Sequence, residues 1–160
     1  MPSPDLLTDY LRRAYHAVDG LWFMKVEEAH GFEDALETDR RVWEVLAKIQ
    51  ARQARQLLQV TGNGPADLAE CFTLKLTADG HRFTVTVTPE SVTFTIHECP
   101  WQELLKKSDR QDLAARLAQT ICPTEGRVWC QEFAAQCEFS MPRMACQGVE
   151  GCEMRFAWKS

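Results

Sequence analysis

The spacing of apolar residues changes along the chain, and each change marks a new element. From Leu7 to Leu21 they recur at helical spacing (Leu7, Leu11, Ala14, Val18, Leu21), behind Ser3-Pro4-Asp5, which can open a helix. Asp19-Gly20 predicts a bend, Leu21-Trp22-Phe23-Met24 is apolar all round and predicts burial on several sides, and Gly31 predicts a C-terminal cap. A second long helix is predicted from about Phe32 to Val60, with a stripe of Phe32, Ala35, Leu36, Val42, Trp43, Leu46, Ile49 and Leu57. Thr61-Gly-Asn-Gly-Pro65 reads as a turn, followed by a short helix from Pro65 to about Leu76 with Leu68, Cys71, Phe72 and Leu76 on one face.

After Gly80 the period becomes two. Phe83, Val85 and Val87 face one way and threonines the other; Val92, Phe94 and Ile96 repeat the pattern after Pro89-Glu90, which predicts a β-hairpin with one buried face. Helix returns at Pro100-Trp101 and again after Ser108, where Ser108 and Gln111 have capping-box spacing. A further helix is predicted from about Pro123 to Ala135, then two alternating strands, Cys137-Phe139-Met141 and Cys152-Met154-Phe156-Trp158. The expected class is α+β: an N-terminal helix pair packed with a four-stranded antiparallel sheet and inserted helices. It forms a single domain over 1–160, with a helical half (1–62) and a sheet-containing, cysteine-rich half (63–160).

Charge narrows the function classes. A net charge of -5 excludes a general nucleic-acid binder, which needs a basic surface. No run approaches the roughly 18 apolar residues of a membrane span. Met1-Pro-Ser-Pro-Asp5 is not a secretory signal, so the expected location is cytoplasmic, with thiols reduced.

Six of the seven cysteines lie from position 99 onward, so the candidate chemistry concentrates there. Cys71, Cys130 and Cys137 occupy apolar positions and read as core. Cys99, Cys122, Cys146 and Cys152 flank elements, where sites are assembled. They are candidate ligands for zinc or iron, or reactive thiols. No C-x2-C pair occurs among them, so the fold would have to gather them. With a helix beginning at Pro123, Cys122 would sit at the positive end of a dipole, which favours thiolate.

Asp39 lies on the apolar stripe of the second helix and needs a partner: Arg12, Arg13, His16, Lys25, an indole N–H of Trp22 or Trp43, or a metal. Glu27 and His30 form one E-x-x-H step; carboxylate-bridged di-iron bundles use two. His30 reads as a helix C-terminal cation, and His81 and His97 read as exposed. The five tryptophans could wall a pocket for a planar or apolar ligand, or serve as core anchors. With Glu27 and Asp39, Trp22, Trp43 and Trp101 are the candidate ligand-binding residues.

The order Cys99-Pro100-Trp101, Cys122-Pro123-Thr124-Glu125 and Gly148-x3-Cys152-x3-Phe156 resembles the C-terminal signature of L-2-amino-thiazoline-4-carboxylic acid hydrolase-like proteins. More distantly it is similar to vinyl-4-reductase-type small-molecule-binding domains. The segment Asp19-Gly-Leu-Trp-Phe23 resembles helices of uncharacterised bacterial and archaeal proteins. The resemblance implies an α+β ligand-binding fold and a ring-opening hydrolysis of a C–N or C–S bond, with Cys122 and Glu125 as the residues to test.

The expected function is a small-molecule- or metal-binding protein with a cysteine-containing pocket between the sheet and the helical half. One alternative is a cysteine-dependent hydrolase of small cyclic compounds, with Cys122 as nucleophile or ligand and Glu125 as acid/base. Another is a structural protein with inert cysteines, whose long helix could pair with a copy of itself in a homodimer. The expected partner is a small-molecule ligand, with neither nucleic acid nor membrane.

Overall fold

The computed structural model describes residues 1–147 and 150–159. Helix α1 (Pro4–His30) starts where Ser3 Oγ accepts from the Leu6 N–H at 3.2 Å, and Asp19-Gly20 does not interrupt it. One residue, Gly31 at φ +90°, separates it from α2 (Phe32–Leu58). Phe23 meets Phe32 with ring centroids 5.9 Å apart, and Asp19 lies close enough to Asp39 to feel its charge, so the two helices run antiparallel.

The stripe of α2 is correct in its first half and displaced in its second. Ala35, Leu36 and Trp43 are buried, but the inward positions beyond them are Ala47, Ala51 and Ala54, while Val42, Ile49 and Leu57 are exposed. Hydropathy ranks Val and Ile above Ala. What α2 needs where it packs along α5 and α3 is small side chains that let the backbones approach. The Thr61–Pro65 turn is fixed by Arg55, whose guanidinium donates to the Gly62 carbonyl at 2.9 Å and to Asn63 Oδ1 at 3.0 Å.

Helix α3 (Pro65–Asp79) is capped at its start by Asp67, which accepts from the Gly64 N–H at 2.8 Å. The hairpin follows as β1 (Arg82–Val87) and β2 (Ser91–Glu98). Helix α4 (Pro100–Lys107) leads to α5 (Gln111–Phe133), and the chain closes with β3 (Cys137–Arg143), a short 3-10 turn over Ala145–Gln147, and β4 (Cys152–Trp158). The four strands form one antiparallel sheet in the order β1-β2-β4-β3. The α+β class and the helix pair with a four-stranded sheet are as the pattern predicts. Gly148 of the terminal motif lies outside the described residues.

Helices α3 and α5 cover one face of the sheet. Phe72 of α3 sits at the centre of the core, 5.0 Å from the Phe94 ring, 5.1 Å from Phe156 and 4.9 Å from Trp129. Cys71, Cys130 and Cys137 are buried in this cluster, as their positions predict. Edge strand β1 departs from its pattern: Phe83 reaches the core, but Val85 and Val87 are exposed because the helical layer stops short of them.

Two local readings fail at α5. Ser108 does not cap it; its hydroxyl donates back to the Leu104 carbonyl at 2.7 Å, and Arg110 precedes the first turn instead. Pro123 does not start a helix but lies inside one that runs unbroken from Gln111. Proline deprives the Gln119 carbonyl of its donor, and beside it the Thr124 hydroxyl donates to the Thr120 carbonyl at 2.8 Å. Three residues on, Gly126 is buried under β3, where a Cβ would run into the Phe139 ring. Gly126→Ala should therefore destabilise the protein by about 1–3 kcal/mol, because overpacking outweighs the ~1 kcal/mol gained in helix propensity. Urea unfolding followed by circular dichroism checks the sign.

Candidate functional site

Helices α1, α2 and α3 carry polar residues inward against α4 and α5, which present leucines. Between them lies a cavity of about 220 Å³. Leu105, Leu113, Leu117 and Ile121 supply the apolar wall, with Met24 of α1 and Met141 of β3. The polar side is built from three groups of residues.

The first is an ion triad. Lys75 of α3 is buried with its ammonium 2.6 Å from Glu125 Oε1 of α5 and 3.1 Å from Asp79 Oδ2 one turn along its own helix. Burial alone would discharge the ammonium, but the two carboxylates outweigh it and keep Lys75 charged. Burial pushes the Glu125 carboxyl up, and Lys75 draws it back.

The second group is a carboxylate pair between α1 and α2. The Trp101 indole N–H donates to Asp19 Oδ2 at 2.8 Å. Asp39 is pushed up to about 7, first by burial and then by the charge of Asp19, and the nearby Trp43 indole lowers each carboxyl in part. Asp39 therefore has Trp43 of its expected partners, with a second carboxylate beside it.

The third group is aromatic. The Trp101 ring lies 4.6 Å from His16, 5.6 Å from Trp43 and 5.7 Å from His81. His81 is thus half-buried against the cavity, not exposed; burial and the nearby Lys75 charge hold its pKa down at about 3. His97 is exposed, as expected.

Of the expected ligand-binding residues, Asp39, Trp43 and Trp101 line the cavity. Glu27 does not, but it holds Arg110, which does, through two hydrogen bonds of 3.0 and 2.8 Å. Trp22 points away and is 63% exposed, so the all-round burial expected of Leu21-Trp22-Phe23-Met24 does not occur.

Cys99, Cys122 and Cys152 reach the cavity, and Cys146 lies off the lining, near enough to Cys152 to feel its charge. The Cys152 thiol receives the Ala145 N–H at 3.2 Å. Among the described residues no three His, Cys, Asp or Glu side chains are grouped so as to hold a metal ion. Cys122 sits in mid-helix, away from the positive end of a dipole, and burial pushes its thiol well up, so the environment that would favour thiolate is not there. The cysteine at a helix N-terminus is Cys99, which precedes α4; the Gln102 and Trp101 N–H groups lower its thiol, but burial outweighs them.

Sequence reading missed Lys75, Asp79 and Asp19 as site residues and named His16 only as one candidate partner of Asp39. Lys75 and Asp79 had a visible signal. Both fall on the face of α3 that carries Leu68, Phe72 and Leu76, and an opposite-charge pair at i and i+4 on an apolar stripe marks a buried polar site.

Among the described residues no helix is long and apolar enough to cross a membrane. No curated protein matches the sequence. In fold the chain is similar to a trafficking protein particle complex subunit 3 from Naegleria fowleri, solved covalently bound to palmitic acid, with a TM-score of 0.60 over 95% of this chain and 97% of that one at 13% identity. At the level of sequence, the model described as "Family of unknown function (DUF6125)" matches residues 4–151, and the chain belongs to that family.

Proposed function

We propose that the protein binds a small molecule with an apolar body and one polar end. The observation that carries this reading is the cavity itself, walled largely by leucines of α4 and α5 and furnished with a few polar groups from α1, α2, α3 and Glu125 of α5. Small-molecule sites are concave, mostly apolar and furnished with a few fixed polar groups. The palmitic acid held by the structure of similar fold supports an enclosed apolar ligand, and the resemblance to vinyl-4-reductase-type domains points the same way. Cys99, Cys122 and Cys152 belong to the wall of this pocket in the reading, with Glu125 anchored by Lys75.

The test is titration with the small neutral fluorophore 2-methoxynaphthalene, whose size matches the cavity. Saturable binding with a fluorescence rise is expected, weakened at least about tenfold in Ala118→Trp, whose indole fills the cavity, a loss of about 1.4 kcal/mol. Unsaturable binding, or a variant that binds as the parent does, would overturn the reading.

A second reading rests on the outer face of α1. Leu7 and Tyr10 near one end and Leu21 near the other are 47%, 70% and 55% exposed, Met24 borders this face and touches the cavity with its other side, and the exposed Ala14 and Ala17 lie between the two ends. The stripe has heptad spacing and is symmetric about its midpoint. We infer that a second copy covers it in an antiparallel crossing: large side chains then fall opposite large ones, and the alanines meet at the two-fold axis. With Leu11, Val18 and Trp22 the face offers on the order of 800 Å², what each partner of a stable interface contributes. Native mass spectrometry should find a dimer, and Leu21→Glu should leave a folded monomer. A monomeric parent, or a dimeric Leu21→Glu, would rule this contact out.

A further inference from the structure

Among the described residues two cations line the cavity, and both are already paired. Lys75 is held by Glu125 and Asp79, and Arg110 by Glu27. Asp19 accepts the Trp101 indole N–H at 2.8 Å, and among the described residues neither Asp19 nor Asp39 has a cation within ion-pair distance. Two carboxylates side by side would by themselves fit a shared proton.

A third acceptor decides otherwise. His16 is only 8% exposed and lines the same cavity, and its Nε2 has no hydrogen-bond partner among the described residues. Burial holds its pKa down and favours the neutral ring, in which Nε2 is an acceptor when the proton sits on Nδ1. The site thus offers three acceptors without a free cation. A head group with several N–H donors and a positive charge satisfies all of them. A carboxylate head would meet two charges of its own sign.

We propose that the ligand is a primary alkyl- or arylalkylamine, its ammonium held by Asp19, Asp39 and His16 and its apolar body laid against Leu105, Leu117 and Ile121. This rests on the small-molecule reading above and names the ligand class for that pocket. The volume suits on the order of ten non-hydrogen atoms.

Around the pair stand Tyr15 and His16 on α1 and Asp79 on α3, and the same cavity is lined by Lys75 on α3, His81 after it, Cys99 before α4, Arg110 before α5, Cys122 and Glu125 on α5, and Cys152 on β4. Near neutral pH Lys75 and Arg110 remain charged. His81 remains neutral, as do the raised thiols of Cys99 and Cys122. Asp39, pushed up to about 7, changes charge there. An ammonium binds its ionised form, so below its pKa binding must expel a proton, and affinity rises as pH rises.

Isothermal titration of the full chain with octylamine, octanol and octanoate tests the proposal. Octylamine should bind tightest at about pH 8 and octanoate weakest, and octylamine affinity should rise about tenfold between about pH 6 and about pH 8 while octanol stays level. Asp39→Asn should lower octylamine affinity to that of octanol and abolish the pH dependence, and Asp19→Asn should weaken octylamine while sparing octanol. Octanol or octanoate matching octylamine, or an Asp39→Asn variant that keeps its octylamine affinity, would overturn the amine assignment and leave the pocket intact. Failure of all three compounds to bind would overturn the pocket reading as well.

Discussion

The structure turns on one buried ammonium. Lys75 has two carboxylates within ion-pair distance and almost no water, and its charge survives only because Glu125 and Asp79 are both there. Removing either partner of such a group costs about 3–5 kcal/mol, whereas an apolar trio of similar shape would be close to neutral. The triad therefore specifies an arrangement more than it adds stability. It fixes the face of α5 relative to α3, and so which α5 side chains turn toward the cavity. Leu117, Ile121 and Glu125 lie at successive turns of α5 on that face, so the apolar wall and the ion pair are set by one rotation of a single helix.

Much of the architecture was legible because alternation and helical spacing are strong where one face is buried. The β2 pattern Val92-Phe94-Ile96 and the β4 pattern Met154-Phe156 hold residue for residue. Legibility fails where burial selects for size. Ala47, Ala51 and Ala54 are the inward positions of α2, yet Val42 and Ile49 attract the eye. It fails again at Pro123, where a local rule for helix starts is overridden by tertiary packing.

The site was legible in its aromatic and acidic parts. Asp39, Trp43 and Trp101 meet in one cavity because a carboxylate on an apolar stripe must be accounted for. The same reasoning applied to Lys75 and Asp79 would have flagged that pair. Asp19 and His16 carry no comparable signal: beside Gly20, Asp19 looks like a helix breaker, and a histidine four residues from a basic pair looks like surface. The cysteines drew attention by number. Three of them do reach the cavity wall, although the helix end that would have activated Cys122 does not exist.

The strand order has a kinetic consequence. β2 pairs with β4, so residues 91–98 lie beside 152–158, and α4, α5 and β3 all fall within the intervening loop. Closing so long a loop must precede the contacts that reward it, and such contacts form late. The α1–α2 hairpin and the β1–β2 hairpin are local and can form early. Cys152 and Met154, which complete the cavity, arrive with β4. During synthesis the chain can assemble most of its helices with the centre of the sheet still open, and no complete cavity exists until its final strand docks.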